Sequence, residues 1–226
     1  MSSLNKAAGT NILTACAGIA LLVANYFVFM VVPNEKIMGA VQRLFYFHVG
    51  SAIACYSAIT VLLLAALLYL ASRSQIADCF AVASTEVSFL FCTIVILSGM
   101  IWGRSAWNTW FRFEPRLVSF VLLWLILLAI LLLRLFGDRE KVAAQCAVLA
   151  ILAAVNIPLV IFSVKLLPQS AQLHPQVLEN RGLKDPSYWQ AFAISVVALV
   201  LLQAVLILLR ARVEENRREL FSKIEI

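Results

Sequence analysis

Charge is scarce in this chain. Of its 226 residues, 13% are charged and 63% are hydrophobic, whereas a soluble globular domain carries roughly a quarter charged residues. That balance excludes a fold with an ordinary water-facing surface and points into a lipid bilayer. The net charge of +6 then belongs to loop Lys and Arg and is not the footprint of a nucleic-acid binder. Five cysteines (Cys16, Cys55, Cys79, Cys92, Cys146) form no C-x-x-C pair; most sit among apolar neighbours, where Cys behaves as a small hydrophobe. The C-x-x-C-H motif of covalent haem attachment is missing too. No glycine-rich phosphate loop and no nucleophile–base pair can be placed, which argues against an ATPase or a hydrolase. No internal repeat and no low-complexity tract interrupts the chain.

What is present is a series of long apolar runs. About 20 apolar residues cross a hydrocarbon core, and six runs qualify, at roughly 12–32, 44–70, 80–101, 117–136, 143–164 and 188–209. The fold class expected is all-α: one six-span membrane domain over 1–226, with a tryptophan-rich surface helix or loop at 102–119 and a charged tail at 210–226. That tail reads as a solvated helix. The polar start, MSSLNKAAGTN, leads into a run long enough for a permanent anchor, unlike a cleavable leader. An even number of spans puts both termini on one side. That side holds Lys6, Arg73, Arg134, Arg139, Lys141, Arg210, Arg212, Arg217, Arg218 and Lys223; the other holds Lys36, Arg43, Arg104, Arg112, Arg116, Lys165, Arg181 and Lys184. The ten-to-eight excess favours cytoplasmic termini.

On the opposite, outer side lies IWGRSAWNTWFRFEPR (101–116), with three tryptophans, two phenylalanines and three arginines. Rings gather at membrane boundaries in any case. Here, though, Trp107, Trp110 and Phe111 fall at i, i+3 and i+4, which predicts one face of a short surface helix ended by Pro115, with Arg104, Asn108 and Arg112 on another face. The two histidines of the chain, His48 in RLFYFHVGSA and His174 in PQSAQLHPQVL, fall on the same side. As a helix, Val41 to Leu70 would be about 45 Å long, which brings His48 near the boundary. Two imidazoles can fill both axial positions of a haem iron. Arg forks pair with carboxylates such as its propionates. Of the remaining polar residues, Glu86 reads as lying near the cytoplasmic boundary or as an intramembrane functional carboxylate. Asn156 and Pro158 read as a kink with a bonded amide. Gly99 and Gly103 read as sites of close packing or of a turn.

Four ordered motifs carry a resemblance. WNTWFRFEPRLVS resembles the W-G-x-W-W-x-W-D-x-R-L-x-S signature of the CcmC haem-handling proteins and their CcsA-type relatives, the WWD-domain family of cytochrome c biogenesis. SGMIWG (98–103) resembles the approach to that signature, RLFYFHVGSA its R-x-x-Y-x-H-V segment, and VNIPLVIFSVKLL its V-N-x-P-x-x-x-x-S-V segment. The resemblance implies a non-enzymatic relay in the bacterial inner membrane that holds non-covalent haem b between two axial His. Carried over, His48 and His174 become the metal ligands. Trp102, Trp107, Trp110, Phe111, Phe113 and Glu114 become the platform, with Arg43 and Arg116, and then Arg104 and Arg112, as propionate contacts. Implied partners are haem, a membrane-tethered periplasmic haem chaperone, and other membrane proteins of cytochrome c maturation, including an ABC transporter complex. The signature glycine is Asn108 here, two aromatic positions are Phe111 and Phe113 instead of Trp, its Asp is Glu114, and the connection to His174 is longer. Phe keeps a ring face but loses the indole N–H.

Rival readings are a cytochrome c synthetase component, a b-type cytochrome and a haem-export permease subunit. Two His in six spans weigh against the first two, and sparse intramembrane charge against the third. Reporter fusions within 102–116 are expected to place that connection outside the cytoplasm; cytoplasmic reporter activity there would invert the topology.

Overall fold

The computed structural model describes residues 3–36, 38–138, 141–165 and 185–224. Six helices dominate it: α1 (Ser3–Tyr26, prolonged by a π-helical turn, Phe27–Val31), α2 (Leu44–Ser72, preceded by a 3-10 turn, Ala40–Arg43), α3 (Gln75–Trp107), α4 (Pro115–Phe136), α5 (Val142–Phe162, followed by a 3-10 turn, Ser163–Lys165) and α6 (Pro186–Ile224). Each is long and apolar enough to cross a membrane, and the chain is a polytopic α-helical membrane protein. In hydrocarbon a backbone N–H finds no partner outside its own helix, so every span is helical and irregular chain is confined to the ends.

The connections obey local chemistry. Arg73 takes a left-handed conformation (φ 56) to end α2, and Ser74 at once caps α3 by accepting from Ala77 N at 3.3 Å. Pro115 opens α4 in the first turn, where its missing N–H costs nothing. Small residues line the helix contacts: Ala54, Ala58 and Ala66 of α2, Ala83 of α3, Ala150 and Ala153 of α5 are all fully buried. They let backbones approach closely, which is how helices associate where lipid is as apolar as Leu. Polar side chains tie the pairs. Ser57 Oγ donates to Gln203 Oε1 (3.2 Å), Trp124 Nε1 to Thr93 Oγ1 (2.9 Å) and Asn156 Nδ2 to the Ser119 carbonyl (2.9 Å). Asn156 is thus a bonded amide, and Pro158 lies within α5. Cys55, Cys79, Cys92 and Cys146 are buried free thiols, and Cys16 is exposed.

One end of the bundle is charged. One face of the tail is held: α6 runs unbroken for 39 residues, about 58 Å at 1.5 Å per residue, and Arg210 and Arg218 tie it to α3, while 219–224 are exposed. Arg210 grips Glu86 with two bonds of 2.7 Å. Glu214, 1% exposed, accepts from Arg210, Arg217 and Arg218. Asp78, 4% exposed, accepts from Arg134 of α4 and, at 2.8 Å, from Arg218. Glu86 therefore belongs to this network. Positions 210, 214 and 218 repeat every fourth residue, so one helix face carries the clamp, a pairing that charge counting alone could not reveal.

Removing one partner of a buried ion pair strands the other. Asp78→Asn is expected to destabilise the protein by on the order of 3 kcal/mol, measured by reversible unfolding in mixed micelles. Unchanged stability would mean that the tail is not clamped.

Candidate functional site

The opposite end of the bundle is aromatic. α3 outruns its neighbour α4 and ends at Trp107, where Asn108 turns left-handed (φ 55). Asn tolerates this conformation better than most residues. Arg104 locks the turn, donating to the Asn108 carbonyl at 3.1 Å and to its side-chain oxygen, while its guanidinium sits 6.0 Å from the Trp110 ring centre. The chain then folds back on α3. Thr109 N donates to the Gly103 carbonyl at 3.4 Å, and a Cβ at Gly103 would lie 2.9 Å from the Thr109 carbonyl oxygen. Glycine at 103 is what lets the loop close. The short surface helix expected from the spacing of Trp107, Trp110 and Phe111 is therefore absent; α3 itself supplies Trp107, and the two later rings stand on a loop. Helical periodicity was outweighed by Asn108 on one side and by the extended residue before Pro115 on the other.

Beneath this loop is a cavity of about 420 Å³, within the range of small-molecule sites. From α2 it takes Phe45, His48, Val49, Ala52, Ile53 and Tyr56, one face at helical spacing; α3 adds Val95, Gly99, Met100, Trp102 and Trp107. The loop and α4 supply Trp110, Phe111, Arg112, Glu114, Arg116 and Phe120, and α5 closes one wall with Val160 and Ile161. Eight sequence-derived candidates meet here: His48, Trp102, Trp107, Trp110, Phe111, Arg112, Glu114 and Arg116.

Three candidates stand elsewhere. Arg43 reaches the Val32 carbonyl (3.5 Å) and lies 5.9 Å from the Phe29 ring centre, toward α1. Arg104 is occupied by the Asn108 turn. Phe113 is 89% exposed, edge-on to Phe111 at 5.4 Å. His174 lies outside the described residues. Tyr56, Phe45, Met100 and Phe120 were not singled out from the sequence. Counting four and eight residues onward from His48 along α2 reaches Ala52 and Tyr56.

Inside the cavity the groups are held firmly. His48 is 9% exposed, and its Nδ1 lies 2.9 Å from Ser98 Oγ. Trp102, 5% exposed, meets His48 edge-on (5.8 Å, 73°), Phe45 edge-on (6.1 Å, 79°) and Trp107 at a tilt (6.0 Å, 32°). Its indole N–H is buried with no partner among the described residues. Glu114, 3% exposed, pairs with Arg112 (3.8 Å) and immediately precedes α4, where a carboxylate also favours the positive end of the helix dipole. Arg116 donates to the Ile161 carbonyl (3.3 Å), joining α4 to α5. An imidazole nitrogen, ring faces and guanidinium groups thus border one space, a set suited to a flat, metal-bearing, anionic ligand.

The family described as CcmC, heme exporter protein C, matches residues 3–225. Among individual relatives, the heme exporter protein C of Bradyrhizobium diazoefficiens is 28% identical over 209 residues, 92% of this chain and 80% of its own length. That of Rhodobacter capsulatus is 28% identical over 197 residues, 85% of this chain and 80% of its own. That of Escherichia coli K12 is 28% identical over 197 residues, 85% of this chain and 79% of its own.

The fold of the loop can be checked by thiol labelling, since reactivity follows exposure. With Cys16 replaced by Ser, Phe113→Cys is expected to react with a water-soluble maleimide at least about tenfold faster than Glu114→Cys. Equal rates would contradict the turned-back loop.

Proposed function

The chain belongs to the CcmC family, and from that premise we propose that it binds haem in the aromatic-end cavity and passes it on for cytochrome c maturation. One observation carries the reading: His48, held through Nδ1 at Ser98, shares a cavity with three tryptophans and two arginines. The orphaned Trp102 N–H in the same wall is a further sign that a polar partner belongs there, because a buried donor left unpaired costs about 1–3 kcal/mol.

Haem, as cargo, brings an iron with two axial positions, a flat apolar ring and two carboxylates. His48 serves one axial position through Nε2. His174 is assigned the other on the resemblance. Trp107, Trp110 and Phe111 offer ring faces, and Arg112 and Arg116 offer guanidinium forks to the carboxylates. The ligand is haem b, held without a covalent bond, and the chain makes and breaks none; it is a relay. Trp110 and Phe113, 56% and 89% exposed, stand at the rim and face the receiving partner, a membrane-tethered haem chaperone. Arg104 supports that rim by holding the Asn108 turn, and Arg43 steadies the start of α2 against α1.

The Lys and Arg excess sets the charged end in the cytoplasm of a bacterial inner membrane and the cavity on the outer side. The partners on that reading are the chaperone and the other membrane proteins of the maturation machinery, an ABC transporter complex among them. The whole of 1–226 works as one membrane domain, its tail clamped to it.

Purified protein is expected to show a six-coordinate bis-His haem spectrum, and His48→Ala and His174→Ala each to lose most of the bound haem. Wild-type occupancy in both variants would refute the axial assignment. Co-purification with a periplasmic haem chaperone supports the relay, whereas haem movement across vesicles containing this chain alone would favour a permease.

A further inference from the structure

We propose that Ser98 is a positioning residue that sets the tautomer of His48, so that Nε2 presents a lone pair to the cavity before any ligand arrives. The purpose of this device rests on the haem-binding reading above; its geometry does not.

The argument is one of counting protons. A serine hydroxyl has one hydrogen and two lone pairs. Ser98 Oγ lies 2.6 Å from the Ile94 carbonyl oxygen one turn back in α3, and 3.2 Å from that of Val95. A carbonyl oxygen can only accept, so the Ser98 hydrogen is committed to the helix backbone. The contact of 2.9 Å between His48 Nδ1 and Ser98 Oγ then needs its proton from the imidazole. Nδ1 carries the hydrogen, and Nε2 is left with its lone pair. The opposite tautomer would place a lone pair on Nδ1 facing a lone pair on Oγ, and would make Nε2 a donor that cannot ligate a metal. Ligand histidines are commonly held through their second nitrogen in this way.

The neighbours of Ser98 fix the plane of the ring as well as its proton. Gly99 lies under the imidazole: a Cβ there would stand 3.1 Å from His48 Cε1 and 3.7 Å from Nδ1, so a side chain at 99 would push the ring off Ser98. Trp102 closes the next side edge-on at 5.8 Å. Positions 98, 99 and 102 follow one face of α3, so a single helix surface carries proton, plane and flank. The sequence SGMIWG spells out that surface.

The test uses the full-length, haem-free protein in detergent micelles with 15N-labelled histidine. Only two imidazoles contribute, and His48→Ala identifies the signals of His48. Wild type is expected to show one protonated nitrogen at Nδ1 and one bare nitrogen at Nε2 for His48. Ser98→Ala, which keeps the volume but removes the acceptor, is expected to give a mixture of tautomers, and Ser98→Thr to restore the wild-type pattern, since Thr bonds back to the helix in the same manner. Gly99→Ala is expected to disturb His48 with Ser98 intact. In haem titrations Ser98→Ala should weaken binding by about 10- to 100-fold and Ser98→Thr by far less. An Nε2–H tautomer in wild type, or an unchanged pattern in Ser98→Ala, overturns the proposal. A shifted tautomer with unchanged haem affinity also overturns the positioning role. Haem binding that survives His48→Ala refutes the ligand reading instead and leaves the tautomer result standing.

Discussion

A backbone amide inside hydrocarbon has no water to bond, so it must bond within its own helix. That constraint confines the described non-helical residues to the two ends of the bundle, and so it confines any surface built from their backbone as well. The aromatic loop exists because α3 is longer than α4 and must return to it. The return is made by Asn108 in a left-handed turn, held by Arg104, with the loop laid on Gly103. Once the loop is laid back, the space between α2, α3, α4 and α5 gains a roof, and His48 gains company.

The two ends divide the labour. At one, Asp78, Glu86 and Glu214 draw Arg134, Arg210, Arg217 and Arg218 into a clamp that binds α3, α4 and α6. Ion pairs are of uncertain net worth when buried, but they are costly to break, and so they fix which helices are neighbours. At the other end Arg112, Glu114 and Arg116 line a cavity. Arg112 leans on Glu114 and Arg116 on the end of α5. These contacts hold the guanidinium groups in place near the rings without closing the space between them.

How much of this was legible beforehand follows from which interactions are local. The six spans were readable because hydropathy over about 20 residues is a property of the segment alone; the structure extends α2, α3 and α6 past those limits because helices continue until a cap stops them. Joining His48 to the tryptophan stretch needed only the alternation of spans. The short surface helix expected from Trp107, Trp110 and Phe111 is not formed, since a spacing of three and four residues is also satisfied by one helix end followed by a loop. Arg104, expected as a propionate contact, is bonded to the Asn108 turn. The tail is largely exposed, as a solvated helix would be, but nothing in RARVEENRRELF announces that Arg210 and Arg218 have partners 124 and 140 residues away in the chain.

By itself, then, the sequence determined the number of spans, the end at which chemistry gathers, and the residue types available there, since each depends on composition within one segment. Tertiary structure alone decided that Tyr56, Met100 and Phe120 share a wall with His48, that Arg43 turns away toward Phe29, and that Ser98 faces the imidazole. Those outcomes depend on how helices rotate about their own axes when they pack. Small residues such as Ala54, Ala83 and Gly99 set that rotation only once a second helix is pressed against them.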